Sequence, residues 1–222
     1  MIRVEQLGLE IAGRSILEAV SFTVAEGESV ALVGPNGSGK TSVLRSVLGL
    51  VPFTGRVSVG GHDVVREPIP ARGLVAYLPQ RPAFGEGTAR EALRFFAKLR
   101  RIAPGRVERA LEEVGLAAHA HHPVKTFSGG MQQRLSLALA LLVDAPVMLL
   151  DEPTASLDRD GQAAFLETAK RLRRRGHTLL LASHRADEVA ALTDRVLALE
   201  AGRLPARASE STPRAVSLAA SR

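Results

Sequence analysis

The sequence of 222 residues predicts an α/β fold with an N-terminal antiparallel β subdomain and an inserted helical subdomain. Two short apolar runs, SVALV at 29–33 and VMLLD at 147–151, are typical of buried strands. Residues 1–33 are dominated by alternation of apolar and polar side chains, which is the pattern of half-buried strands. Between about 81 and 145 the pattern changes to consecutive helices. These three observations predict a strand-rich N-terminal region, an inserted helical region and an α/β core.

Composition limits the class of protein. Hydrophobic residues make up 45% of the chain and charged residues 23%, which is ordinary for one globular domain of this length. Cysteine is absent, so disulfides, thiolate metal sites and a cysteine nucleophile are excluded. The formal net charge is +6, but aromatic residues make up only 4%, and bases of single-stranded nucleic acid would find few stacking partners. We therefore expect no nucleic-acid partner.

The longest apolar stretch, 137–150, is interrupted by Asp144 and Pro146. Neither piece approaches the roughly 18–20 residues that a membrane-spanning helix needs. The N-terminus also lacks a charged segment followed by an apolar one and a small-residue cleavage site. We expect a cytoplasmic chain.

The N-terminal elements are predicted as strands over IRVEQLGLEI and AVSFTVAEGESVALV, separated by turns at 12–14 and 26–28. Two further strands are predicted at 55–60 and 73–78. Thr88 and Glu91 form a capping-box pattern that opens a helix at 89–101. A second helix at 104–114 and a third at 129–143 complete the predicted helical subdomain.

The rest of the core continues as alternating elements. The sequence predicts a strand at 147–151, a helix at 160–175, a strand at 178–183 and a helix at 186–192. Two final strands, RVLALE and GRL, are predicted around a turn at Ala201-Gly202. Residues 205–222 are rich in Ala, Ser, Arg and Pro without periodicity, so we predict a disordered tail after a single domain at 1–204.

The glycine-rich segment GPNGSGKT follows strand 29–33 directly and opens a helix, and it satisfies the phosphate-binding P-loop pattern. Glycines there let backbone N–H groups face a phosphate at the positive end of a helix. Lys40 is expected to reach the β- and γ-phosphate oxygens, and the Thr41 hydroxyl is expected to bind Mg²⁺. The predicted nucleotide contacts are Gly34, Pro35, Asn36, Gly37, Ser38, Gly39, Lys40, Thr41 and Ser42.

Two carboxylates end the strand 147–151. An Asp at the carboxyl end of a buried strand beside a phosphate loop is placed to support Mg²⁺, which assigns Asp151 as a metal residue. Glu152 lies one residue farther along and is expected to orient or deprotonate the attacking water. The core is therefore predicted to be a P-loop NTPase that binds a nucleoside triphosphate and Mg²⁺.

A second anion site is predicted at Ser128, Gly129 and Gly130, because a serine and two glycines begin a helix there. Spacing alone leaves open whether this site acts on the same chain or on another one.

Six segments in order resemble the ATP-binding-cassette (ABC) ATPases, over about residues 2–204. They are GPNGSGKT, YLPQ at 77–80, FSGGMQQR at 127–134, VMLLDEP, ASLD at 155–158, and Ser183-His184. The resemblance implies that Gln80 contacts Mg²⁺ or the attacking water, and that His184 contacts the γ-phosphate. It also implies that Ser128, Gly129 and Gly130 contact nucleotide on the other subunit, and that Asp158 belongs to the nucleotide-contacting set.

The resemblance also implies ATP as the nucleotide cofactor, partners and a location. A second ATPase subunit, as a homodimer, and separate multi-spanning membrane permease subunits are expected, with the chain peripheral on the inner face of the cell membrane. Met131 replaces the usual Gln and is similar to export-type members. Ile11 stands where an aromatic residue usually stacks on adenine, which leaves ATP versus GTP open. The alternative is a soluble member acting on nucleic acid or ribosomes.

Overall fold

The structure is a computed structural model that describes residues 1–205. The predicted disordered tail lies, apart from Pro205, outside the described residues. Within that range, no helix combines the length and the apolar character that crossing a membrane requires.

The N-terminal part forms an antiparallel sheet of four strands, numbered here along the chain. The strands are β1 (Ile2–Ile11), β2 (Arg14–Val24), β4 (Thr54–Val59) and β5 (His62–Asp63), in the spatial order β2-β1-β4-β5. Alternate side chains along β1 and β2 are buried, as the period-two pattern predicts. This confirms the antiparallel β subdomain.

A five-stranded parallel sheet forms the centre of the α/β core. Its strands are β6 (Val75–Leu78), β7 (Val147–Asp151), β8 (Thr178–Ala182), β3 (Ser29–Val33) and β9 (Arg195–Ala198), in the order β6-β7-β8-β3-β9. Every residue of β7 and β8 is buried, as in a sheet with both faces covered. The carboxyl ends of β7, β8 and β3 meet at one edge, which is where a ligand site is expected.

Seven α-helices surround the sheets: α1 (Lys40–Val47), α2 (Pro68–Gly73), α3 (Ala89–Leu99), α4 (Gly105–Glu113), α5 (Gly129–Val143), α6 (Arg159–Arg174) and α7 (Ala186–Leu192). The count of seven applies to the described residues, 1–205. Helices α3, α4 and α5 follow one another between β6 and β7, together with two short 3-10 turns. Their inner faces pack into one apolar cluster that includes Leu93, Leu111 and Leu135.

The helix starts follow the capping residues. The Thr88 hydroxyl accepts from the backbone N–H of Glu91, and the Glu91 carboxylate accepts from the N–H of Thr88 at 2.8 Å. Ser128 caps α5 by accepting from the N–H of Met131. Both predicted caps are confirmed, and α5 has its predicted bounds.

One predicted strand was wrong, and one helix was not predicted. The segment GRL does not form a strand, because only one bridge, between Glu200 and Arg203, joins its two sides. Helix α2 was not predicted, since six residues with two prolines carry no helical periodicity. The neighbouring helices α3 and α4 are each slightly shorter than predicted.

Candidate functional site

Two glycines in the loop between β3 and α1 adopt backbone conformations that favour glycine. Gly34 has φ 152° and Gly39 has φ 104°, both in the region that favours glycine. A Cβ on Gly34 would lie 2.2 Å from the carbonyl oxygen of Leu199, and one on Gly39 would lie 2.6 Å from Leu17 Cδ2. The backbone therefore approaches its neighbours too closely for a side chain. The loop leads directly into the N-terminus of α1, whose N–H groups carry partial positive charge.

Lys40 closes the loop from the inside. Its ammonium group donates to the carbonyl oxygens of Gly34 at 2.7 Å and Pro35 at 3.1 Å. The side chain is buried, and an ammonium group has three donors, so one N–H is left for an anionic ligand. The lysine thus both fixes the loop and supplies a positive charge within it.

Asp151 is held between two hydroxyl groups. Thr41 donates to Oδ1 at 2.9 Å, and Tyr77 donates to Oδ2 at 3.2 Å. Burial raises the pKa of the Asp151 carboxyl, and these two hydrogen bonds oppose that rise. Burial and the neighbouring Asp151 carboxyl likewise raise the pKa of the Tyr77 phenol, so Tyr77 stays a neutral donor. The result is one buried carboxyl with both oxygens oriented.

Glu152 and His184 form a pair beside this carboxyl. The backbone N–H of Glu152 donates to the carbonyl of Ala182 at 2.8 Å, which continues the β7–β8 ladder by one residue. Its φ is 45°, a left-handed conformation that is uncommon for a non-glycine residue. The turn directs the buried carboxyl toward His184, whose Nδ1 lies 2.8 Å from Oε2. The imidazole itself is mostly exposed.

One cavity of about 430 Å³ collects most of the predicted residues of the first half-site. The phosphate loop and the start of α1 line it together with Gln80 and Glu152. Ile11 and Ile16 form an aliphatic side. The lining residues are Ile11, Ile16, Asn36, Gly37, Gly39, Lys40, Thr41, Ser42, Gln80 and Glu152.

The predicted second anion site lies elsewhere. Neither Ser128, Gly129 nor Gly130 lines this cavity. A Cβ on Gly130 would lie 3.2 Å from the carbonyl oxygen of Ser156, so the start of α5 packs against the segment 155–158. Asp158 caps α6 by accepting from the N–H of Gly161 at 2.9 Å. One chain therefore presents a phosphate loop and a separate serine-glycine surface.

Sequence reasoning missed two residues of the site. Ile16 lines the cavity beside Ile11, and Tyr77 binds the Asp151 carboxylate. A signal existed for Tyr77, because it lies near the end of β6 in the segment that also holds Gln80. No signal existed for Ile16, whose position depends on how β2 folds back along β1.

A phosphate loop on β3, a carboxyl on β7 and a second carboxyl paired with an imidazole define a P-loop nucleoside triphosphatase. A family model described as "ABC transporter" matches residues 17–155. The chain belongs to the ABC transporter family. Within that family it is the subunit that binds and hydrolyses ATP.

Individual relatives agree with this assignment. The chain is 34% identical over 210 residues to the linearmycin resistance ATP-binding protein LnrL of Bacillus subtilis, covering 92% of this chain and 68% of the relative. It is 40% identical over 220 residues to the zinc import ATP-binding protein ZnuC of Cereibacter sphaeroides, covering 98% and 84%. A solved structure of an ATP-binding subunit of an ABC transporter superposes with a TM-score of 0.87 at 27% identity, covering 98% of both chains.

Proposed function

We propose that two copies of this chain bind ATP between them and drive transport through separate membrane subunits. The main support is that the phosphate loop and the surface at Ser128 lie apart within one chain. The phosphate loop opens into one cavity, and the serine-glycine surface at Ser128 lies outside it against Ser156. Two chains arranged head to tail would bring each phosphate loop against the partner's α5 N-terminus, where a helix dipole and the Ser128 hydroxyl favour an anion.

Mg²⁺ fits the donors at the cavity edge. The Thr41 hydroxyl and the Asp151 carboxylate are hard oxygen ligands whose oxygens lie 2.9 Å apart. Gln80 lines the same cavity and offers an amide oxygen. When bound, Mg²⁺ neutralises charge on the phosphate oxygens. In this proposal Thr41, Asp151 and Gln80 hold it, and Tyr77 keeps the Asp151 carboxylate oriented.

Glu152 and His184 are proposed to act on the attacking water and the terminal phosphate. Glu152 lines the cavity and presents a carboxylate that can accept a proton from water. His184 pairs with Glu152 through Nδ1, and an imidazole that is protonated on both nitrogens would also donate from Nε2 to a phosphate oxygen. The proposed nucleotide contacts from one chain are residues 34–42 around the phosphates and Ile11 beside the nucleobase. The partner chain would contribute Ser128, Gly129, Gly130 and Asp158.

The proposed partners are membrane permease subunits that contact the helical subdomain, about residues 81–145, and the neighbouring Gln80 segment. ATP binding and hydrolysis would be coupled to transport through these contacts, and the chain would then lie on the inner face of the cell membrane. The relatives named above are a resistance protein and a zinc import protein. No relative named here points to nucleic acid or ribosomes, so this alternative is not favoured.

Mixing two defective chains tests the shared-site proposal. Glu152→Gln removes the catalytic carboxylate and leaves Ser128 intact, whereas Ser128→Arg blocks the α5 surface and leaves Glu152 intact. Each variant alone is expected to hydrolyse ATP slowly. A mixed dimer contains one site with an intact Glu152 and an intact Ser128, so mixing is expected to restore turnover. If the mixture is as slow as its components, the half-sites do not combine between chains.

A further inference from the structure

A buried carboxyl lies behind the Glu152–His184 pair. Glu188 is on α7 and is only 2% exposed. Its Oε2 accepts a hydrogen bond from the Ser183 hydroxyl at 2.5 Å. The same hydroxyl oxygen accepts from the backbone N–H of Arg185 at 3.1 Å. These two contacts fix Ser183 and Arg185, which are the residues on either side of His184.

The same carboxyl reaches the segment after Glu152. The Thr154 hydroxyl lies beside Glu188 and favours its charged form, while the Glu152 carboxylate is close enough to disfavour it. Oε1 of Glu188 and the Thr154 hydroxyl are both buried, and neither has a well-formed hydrogen bond within residues 1–205. One side chain therefore lies against both segments that carry the proposed catalytic pair.

Stability does not explain a carboxyl at this place. Glu188 forms no ion pair in the described part of the chain, and burial raises its pKa. Burying an ionisable group without a partner costs free energy, and an apolar residue of similar volume is often neutral or stabilising instead. A buried carboxyl that hydrogen-bonds next to a catalytic pair is better explained by what it orients.

We propose that Glu188 is a positioning residue that fixes the orientation of His184 toward Glu152, through Ser183. The proposal rests on the proposed roles of His184 and Glu152 in hydrolysis. It extends those roles to a residue that touches neither nucleotide nor the cavity, and that sits on the first helix after β8.

The test is a double-mutant cycle on the full chain. Glu188→Leu removes the acceptor of Ser183 and keeps the volume. We expect ATP affinity and the thermal midpoint to stay near those of the wild type, and turnover to fall by about ten- to a hundredfold, since small misplacements are costly in catalysis. Glu188→Gln keeps a carbonyl acceptor for Ser183 and is expected to retain most of the turnover. Ser183→Ala removes the same hydrogen bond from the other side and is expected to resemble the leucine variant.

The second arm of the cycle identifies the residue through which Glu188 acts. His184→Ala is expected to lower turnover by itself, and adding Glu188→Leu is expected to lower it no further. Val189→Ala, on the same helix in the small cluster with Ala31 and Val196, is the matched control for packing. It is expected to lower the thermal midpoint and to leave turnover at a low assay temperature unchanged.

Four results separate the possibilities. If the effects of His184→Ala and Glu188→Leu multiply, or if Glu188→Leu leaves turnover unchanged, the positioning role is overturned. A loss of turnover that only tracks a loss of stability, as in Val189→Ala, also overturns it. If His184→Ala alone keeps full turnover, the proposed role of His184 fails, and the positioning role of Glu188 is overturned with it.

Discussion

Nδ1 of His184 lies 2.8 Å from Oε2 of Glu152, and the two residues follow adjacent strands of the parallel sheet. The register of β7 and β8 pairs Asp151 with Ala182, so the residues just beyond each strand end meet. Because a carboxylate can only accept, Nδ1 carries the hydrogen of this contact. The pair is thus a product of strand register rather than of any local sequence pattern.

Glu152→Gln is expected to keep nucleotide binding and remove turnover. The amide has the shape of the carboxylate and can still pair with His184, but it cannot take a proton from water. A loss of at least about a hundredfold in turnover is expected from removing a general base. ATP affinity measured with a fluorescent analogue should be unchanged, and size-exclusion chromatography with ATP should show an accumulated dimer. Normal turnover would remove Glu152 from its proposed role.

Tyr77→Phe is expected to weaken the response to Mg²⁺. The substitution keeps the ring and removes only the hydroxyl that donates to Asp151 Oδ2. Groups that orient a metal ligand are typically worth about ten- to a hundredfold in metal affinity, so we expect a shift of about tenfold in the Mg²⁺ concentration that half-saturates nucleotide binding. Thr41→Ala, which removes a proposed direct ligand, should shift it further. Equal Mg²⁺ dependence of the wild type and the phenylalanine variant would contradict this.

Ile11→Tyr is expected to tighten nucleotide binding. Ile11 is half exposed and lines the cavity with Ile16, which gives apolar contact without a π face. Stacking of a base on an aromatic ring contributes about 1–3 kcal/mol, so affinity for ATP should rise about tenfold. The wild type is expected to bind ATP and GTP with similar affinity in competition titrations. Leu50→Tyr, at another exposed position outside the cavity, is the control and should change neither affinity.

Glu188→Gln is expected to change how stability depends on pH. Burial raises the pKa of the Glu188 carboxyl, so the folded chain keeps this proton to a higher pH than the unfolded chain does. For such a group the free energy of unfolding is highest at low pH and falls as pH rises through the raised pKa. Below about pH 4 the Glu188 carboxyl is largely neutral in both the folded and the unfolded chain. The variant and the wild type should therefore have similar free energies of unfolding there.

As pH rises from there, the glutamine variant should become increasingly more stable than the wild type. Urea unfolding of both chains at several pH values measures this difference. A difference that does not vary with pH would mean that Glu188 has the same proton affinity in both states.

Local signals predicted the elements whose ends they mark. Ser128 before α5 and Thr88 before α3 placed both helix starts, because a side-chain oxygen satisfies N–H groups that no helical carbonyl can reach. The phosphate loop was also local, since glycines, a lysine and a threonine follow one buried strand. Helix α2 was not predicted, because its six residues depend on packing rather than on periodicity.

Long-range contacts could not be predicted from the chain alone. Thr41 and Asp151 are 110 positions apart, and Tyr77 and Asp151 are 74 apart, so their hydrogen bonds depend on the order of strands in the sheet. The resemblance to a family supplied expectations for His184 and Gln80 that spacing did not. It supplied none for Glu188, which looks like an ordinary acidic residue of an amphipathic helix until its burial is known.

The left-handed backbone of Glu152 sets a limit on engineering this chain for heat resistance. A glycine there would adopt φ 45° without the steric cost that a glutamate bears, so selection for stability alone would favour its loss. The same substitution would delete the carboxylate that faces His184. Screens that reward only survival on heating would therefore enrich well-folded variants that lack this carboxylate, and a useful screen must measure turnover after the heat step.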